Sequence, residues 1–237
     1  MSKNNTTGVF PQLFKTTVII PALNPPKALL ELIKSLKSGG VKKIVVVNDG
    51  STKEYKDTFD AAKALGAAVL NHPINRGAGA AIKTGMAYVE QNHLESIGIV
   101  TADADGQHSV KDILNIVKLQ QEEPDAVILG VRRITPFKVP FRNFIGNFAA
   151  KIIFSILTRK KIIDTQCGLR AVPTSLIPSL LNLGGQQFEY LTQVLVYITK
   201  SKLKIIQVPI ETIYAKHIQS HFKPIKDSIA IMKELIK

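Results

Sequence analysis

The chain has 237 residues, enough to bury a real core in one generous domain or a domain with a tail. Its 31 basic against 18 acidic residues leave +13, which points to an anionic partner: a nucleotide, a nucleic acid or a phospholipid surface. Sparse aromatics and the absence of Trp argue against a stacking platform for single-stranded nucleic acid, and a lone cysteine, Cys167, excludes an internal disulfide and fits a reducing cytoplasmic compartment.

In chain order, residues 1–16 read as a polar tail without the apolar centre of a signal peptide. Thr17–Pro21 reads as a β-branched strand closed by proline. Lys27–Lys37 has helical spacing of Leu29, Leu30, Ile33 and Leu36 and ends at Gly39-Gly40. Ile44–Val47 is wholly apolar, as for a parallel strand covered on both faces. Asn48-Asp49-Gly50-Ser51 follows, with Ser51 and Glu54 spaced as a capping box for the next helix. Strand Ala67–Leu70, helix Gly79–Glu90, strand Ile97–Thr101, helix Ser109–Gln121 and strand Ala126–Val131 continue the alternation. Such βα units predict an α/β fold with a Rossmann-like, mostly parallel central sheet and helices on both faces. Ligands of such sheets bind at the carboxyl ends of the strands.

Between Leu129 and Ile163 there are eight basic residues and no acidic one. Within that stretch Phe141–Leu157 reads as an amphipathic helix, with Arg142 near its start and Arg159-Lys160-Lys161 after it. It is short for a membrane span but suited to an anionic interface; a buried core helix is the alternative. No apolar run reaches the roughly 18 residues of a membrane span, so the chain is not expected to cross a bilayer.

The chemistry is concentrated in Ile97–His108. Asp103 and Asp105, separated by one residue after an apolar strand, can both reach one hard cation. Mg²⁺ or Mn²⁺ suits a few carboxylate oxygens completed by water and a substrate diphosphate. Such an ion would neutralise charge on a departing diphosphate. Asp49, at another strand end, can accept from the N–H of a uracil ring. Asn75-Arg76-Gly77-Ala78-Gly79 puts two glycines before a helix, where backbone N–H groups and Arg76 could approach a diphosphate. Asp164-Thr-Gln-Cys-Gly-Leu-Arg170 joins a carboxylate, a turn and a guanidinium suited to bidentate phosphate capture. His72 and His93 read as ordinary surface or loop residues, and Cys167 as a small packing residue.

Together, Val18-Ile-Ile-Pro-Ala-Leu-Asn24, Val47-Asn-Asp-Gly-Ser51, Asn75-Arg-Gly-Ala-Gly-Ala80 and Asp103-Ala-Asp-Gly-Gln-His108 resemble the inverting family 2 glycosyltransferases of GT-A fold, over roughly Thr17 to Ile231. Cys167-Gly-Leu-Arg170, Gln187-Phe-Glu189, Val208–Tyr214 and Ser220-His-Phe-Lys-Pro224 resemble the polyprenyl-phosphate branch, typified by dolichol-phosphate mannose synthase. The resemblance implies transfer of a sugar, UDP-linked by expectation, from a nucleotide diphosphate to a polyprenyl phosphate at the cytoplasmic leaflet. It divides the single domain into a nucleotide-sugar and metal half, 17–131, and an acceptor half, 132–237, with the amphipathic segment and a C-terminal helix. Carried over, Asp103, Asp105 and Gln107 hold the metal. Pro21, Asn24, Asp49, Asn75 and Gly77 belong to the donor site. Arg132 and Arg170 meet phosphate groups, and Ser220 and His221 lie near the donor diphosphate. The sequence departs from the family at Pro25, Ala78 and Leu191, where an acidic residue, a lysine and a glutamate are usual. The protein is then expected to be peripheral on the inner face of the cell membrane, or to rely on a separate membrane partner.

The same chemistry follows from the reactants. A lipid phosphate is ionised near pH 7 and needs no base, so arginines and a metal matter more than a proton acceptor. Asp164 is the candidate base or orienter. Three other readings compete. A nucleotidyltransferase would show a Gly-rich basic stretch where Pro21–Pro26 stands. A non-catalytic nucleotide- or membrane-binding module is disfavoured by three acidic residues at the strand ends, which also argue against nucleic acid. A transferase with a polysaccharide or protein hydroxyl acceptor is the nearest rival.

Overall fold

A computed structural model describes residues 14–132, 162–211 and 213. Its elements are β1 (Phe14–Ala22), α1 (Ala28–Ser38), β2 (Val41–Asp49), α2 (Lys56–Ala64), β3 (Ala68–His72), α3 (Ala78–Asn92) and β4 (Gly98–Thr101). Then come α4 (Val110–Glu122), β5 (Val127–Arg132), β6 (Arg170–Pro173), α5 (Ile177–Leu181), α6 (Phe188–Lys200) and β7 (Ile205–Ile210). The amphipathic stretch Phe141–Leu157 and the Ser220–Pro224 motif lie outside the described residues.

The strands form one sheet in the order β3-β2-β1-β4-β6-β5-β7. All neighbours are parallel except β6, which runs antiparallel to both β4 and β5. Alternation along each buried strand divides the core into two layers. Val18, Ile20, Ile44, Val46 and Val100 face α1, α2 and α4 through Leu29, Ile33, Leu36, Phe59, Ile113 and Ile116. Ile19, Val45, Val47, Ile99 and Leu129 face α3, α5 and α6 through Ile82, Met86, Leu180, Tyr190, Leu195 and Ile198. Each fully buried aliphatic of this kind contributes about 1.5–3 kcal/mol. The hydrophobic runs without polar interruption therefore mark strands covered on both sides.

Ser109 caps α4, its hydroxyl accepting from Asp112 N at 3.1 Å, as its position before the apolar spacing suggests. The capping box of Ser51 and Glu54 does not form. A 3₁₀ turn, Lys53–Tyr55, precedes α2, Thr52 stands at its N-cap without a side-chain cap, and the Ser51 hydroxyl is taken by Asn24. The antiparallel β6 was not legible in the sequence. Because it starts where β4 ends and runs antiparallel to it, it brings the loop 162–169 to the same edge of the sheet as the motifs after β1, β2, β3 and β4.

Candidate active site

The ends of β1, β2 and β3 are stitched together by amides and hydroxyls. Asn24, just past β1 and half-buried Pro21, is in the left-handed region at φ 48°, a conformation asparagine tolerates. Its N–H donates to Ser51 Oγ at 2.8 Å and its Oδ1 accepts from Thr52 N at 3.0 Å. Asn48 Oδ1 accepts from Ser51 N at 2.9 Å, and its Nδ2 donates to Asn71 Oδ1 at 2.9 Å.

Asp49 is only 4% exposed, and its carboxylate is spent on the protein. Oδ1 accepts from Arg76 N at 2.9 Å and pairs with His72 Nδ1 at 2.6 Å; Oδ2 accepts from Gly77 N at 2.8 Å. Asp49 is thus the anion seated at the N-terminus of α3, where the helix dipole and unpaired N–H groups favour negative charge. The two glycines have a packing cause as well. Gly77 has φ 103°, and a Cβ there would come within 2.4 Å of the Gln187 side chain. A Cβ on Gly79 would meet Tyr190 Cβ at 2.5 Å, while Ala80 N donates to Gln186 O at 2.8 Å. Close packing against residues 186–190 thus gives both glycines a cause within the protein, and the Asp49 carboxylate, expected to meet a uracil N–H, is bonded here to Arg76 N, Gly77 N and His72 Nδ1. The loop leaves Pro73, Ile74, Asn75 and Arg76 exposed, of which Asn75 and Arg76 are polar.

At the end of β4, Asp103 keeps 42% of its side chain exposed. Its own N–H donates to His108 Nδ1 at 3.2 Å, which leaves the ring proton on Nε2, 3.5 Å from Asp103 Oδ2. Asp105 Oδ1 accepts from Gln107 N at 3.0 Å. Burial first, and the neighbouring Asp103 charge second, raise the Asp105 pKa above the usual carboxylate value. Two carboxylates that repel each other at a strand end match the donor set of a hard divalent cation. Among the described residues no group of three His, Cys, Asp or Glu side chains is placed to hold a metal ion, so such an ion would need Gln107, substrate or water to complete its shell. Gly168 presses on this pair: a Cβ there would lie 2.7 Å from Asp103 Oδ1. Thr101 Oγ1 fixes that contact by donating to Gly168 O at 2.6 Å.

Arg132, at the end of β5, is held in a fork by buried Asp164: Nε to Oδ2 at 2.7 Å and Nη2 to Oδ1 at 3.1 Å. Arg132 N and Gln166 N add further bonds to the same carboxylate at 3.2 and 2.9 Å. Burial pulls the Asp164 pKa up, but the Arg132 hydrogen bonds and charge outweigh it, and the group ends below the usual carboxylate range. A carboxylate so held is an orienter of Arg132 and a poor base.

Arg170 differs from the sequence expectation. It is 4% exposed, and its guanidinium is consumed by backbone carbonyls: Nε to Cys167 O at 2.9 Å, Nη1 to Leu191 O at 2.6 Å and Nη2 to Thr165 O at 3.0 Å. Burial pushes its pKa down to about 10, which still leaves a cation at neutral pH. Arg170 therefore ties the loop 164–169 to α6, with three of its five N–H groups donated to backbone carbonyls. Cys167 is a packing residue, 2% exposed, its thiol pushed up to about 12 by burial. His72 is also corrected, being 7% exposed and bonded on both ring nitrogens. His93 packs edge-on against Tyr88 and pairs with Thr17 Oγ1 at 3.2 Å. Thr101, Gly168 and His72 had no sequence signal beyond their positions beside the motifs. Ser220 and His221 lie outside the described residues.

The sequence signature of glycosyl transferase family 2 matches residues 17–172, from β1 into β6 and across every strand end just described. The chain belongs to glycosyl transferase family 2. It is 33% identical over 225 residues to an uncharacterized protein of Methanocaldococcus jannaschii, covering 92% of this chain and 90% of that protein. It is 29% identical over 221 residues to the UDP-N-acetylglucosamine–dolichyl-phosphate N-acetylglucosaminyltransferase of Methanococcus voltae, covering 84% and 86%. Among solved structures it resembles glucosyl-3-phosphoglycerate synthase of Mycobacterium tuberculosis, in complex with Mn²⁺, UDP-glucose and phosphoglyceric acid. That match has a TM-score of 0.67 at 17% identity, over 94% of this chain and 77% of that one, a likeness of fold. As a family 2 glycosyltransferase the protein is an enzyme of GT-A-like fold. No helix among its described residues is long and apolar enough to cross a membrane.

Proposed function

We propose that this glycosyltransferase moves a sugar from a UDP-linked donor to a polyprenyl phosphate, with inversion, at the cytoplasmic face of a membrane. The observation that carries the proposal is the pairing, at one sheet edge, of the Asp103–Asp105 carboxylates with the Asp164-oriented guanidinium of Arg132. The named activity of the Methanococcus voltae relative supports the lipid acceptor, and the ligands of the Mycobacterium tuberculosis enzyme support UDP and a divalent cation.

Asp103, Asp105 and Gln107 would hold Mg²⁺ or Mn²⁺, which when bound supplies Lewis-acid neutralisation of the leaving diphosphate. The remaining work belongs to side chains. Arg132, oriented by Asp164, offers a cation for phosphate oxygens, and exposed Arg76 and Asn75 border the donor side. The bond from the anomeric carbon to the diphosphate oxygen breaks as an acceptor phosphate oxygen bonds from the opposite face, which inverts the configuration. That oxygen is already ionised, so no proton need be removed, in keeping with a site whose buried carboxylate is locked to arginine. The eight basic residues between Leu129 and Ile163 supply charge for an anionic lipid surface. Incubating the protein with UDP-sugars and either polyprenyl phosphate or hydroxyl acceptors tests the proposal. Sugar recovered on the lipid phosphate supports it, and transfer confined to hydroxyl acceptors refutes it.

A further inference from the structure

We propose that His72 is a positioning residue for the nucleotide-sugar donor, acting through Asp49 on the loop Asn75–Gly77. The inference rests on the reading above that this loop borders the donor. His72 ends β3 and is 7% exposed, with both ring nitrogens engaged: Nδ1 to Asp49 Oδ1 at 2.6 Å and Nε2 to Thr84 Oγ1 at 2.9 Å. Asp49 accepts backbone N–H bonds from Arg76 and Gly77, so an ionised carboxylate there requires the ring to donate from Nδ1. Thr84, on the second turn of α3, then donates its hydroxyl to Nε2 and fixes that tautomer.

The chain of contacts runs from the helix body through the ring to the carboxylate, and from the carboxylate to the two amides that set the loop. Without the ring, Asp49 loses the side-chain contact that sets its rotation, and its bonds to the Arg76 and Gly77 amides open more often. The exposed Asn75 and Arg76 then lose their fixed presentation. A purely structural histidine in the core would carry no such link to the donor side.

The test uses the full chain with His72→Ala, His72→Asn and Thr84→Val. Asparagine keeps an N–H near the place of Nδ1 and alanine does not. Two readouts are taken: hydrogen exchange of the Arg76 and Gly77 amides without ligand, and KM and kcat with a UDP-sugar and Mg²⁺. His72→Ala is expected to speed exchange at both amides and raise donor KM about tenfold, the loss of one charge-assisted hydrogen bond, with kcat changed far less. His72→Asn should recover most of both effects even if its melting temperature stays lowered, and Thr84→Val should show a smaller rise in KM. Unchanged exchange in His72→Ala, or equal loss in the alanine and asparagine variants tracking melting temperature alone, overturns the inference. Accelerated exchange with unaltered donor KM overturns it also, by separating the loop from the donor. A wild-type protein without affinity for any UDP-sugar overturns the proposed function and the donor role together.

Discussion

Replacing Arg170 by lysine keeps the charge and removes the fork. The guanidinium reaches three carbonyls, on Thr165, Cys167 and Leu191, from a position 4% exposed. A single ammonium cannot span all three, so about two charge-assisted bonds are lost and two carbonyls are left dry. At about 1.5–3 kcal/mol for each such bond, the cost is about 3–6 kcal/mol. For a domain of this size that lowers the melting temperature by about 10 °C. Calorimetry on the purified variant reads the shift directly, with turnover measured per folded molecule at a temperature where both proteins are native. A drop under about 2 °C accompanied by loss of turnover would refute the reasoning, because it would place the guanidinium on a ligand rather than on the loop.

Gly168→Ala should do the reverse: the added Cβ, 2.7 Å from Asp103 Oδ1, can be relieved by swinging a half-exposed carboxylate. Melting temperature should change little, while the cation dependence of donor binding weakens about tenfold or more in titration calorimetry. Asp164→Asn should flatten the acid limb of stability. The Asp164 pKa is lowered in the folded protein, so its contribution is present above the unfolded value of about 4 and is lost as pH falls through the folded one. Melting temperatures of wild type and variant should differ at pH 7 and converge in acid; parallel curves would contradict the pairing. Reversing Arg159, Lys160 and Lys161 to Glu should reduce co-sedimentation with anionic liposomes, and the wild-type binding should fall with salt. Binding that ignores both changes would remove the surface role of that stretch.

The strand–helix alternation was legible because apolar runs such as Ile44–Val47 and helical spacings such as Leu29, Ile33 and Leu36 are local signals with one reading each. The Asp103–Asp105 pair was legible for the same reason, since a spacing of two at a strand end needs no distant partner. What depended on tertiary partners was not. Arg170 looks the same in sequence whether its fork meets a phosphate or three carbonyls, and only the antiparallel course of β6 decides between them. Gly77 and Gly79 stand before a helix, where a diphosphate could approach, yet the atoms they accommodate come from residues 186–190. Ser51 had a suitable partner at Glu54, but Asn24, contributed by another strand end, took its hydroxyl first. His72 showed nothing of its burial, because the carboxylate that binds it is 23 residues away.

The central claim is that Asp103 and Asp105 organise a metal-dependent transfer to a lipid phosphate. Transfer of labelled sugar from a UDP-sugar to polyprenyl phosphate, followed by partition into organic solvent with and without EDTA, tests it most directly. The account predicts a lipid-linked product that requires Mg²⁺ or Mn²⁺ and disappears in Asp105→Ala, whose fold persists by circular dichroism. Product formed equally in EDTA, or equally by the folded Asp105→Ala protein, would contradict it.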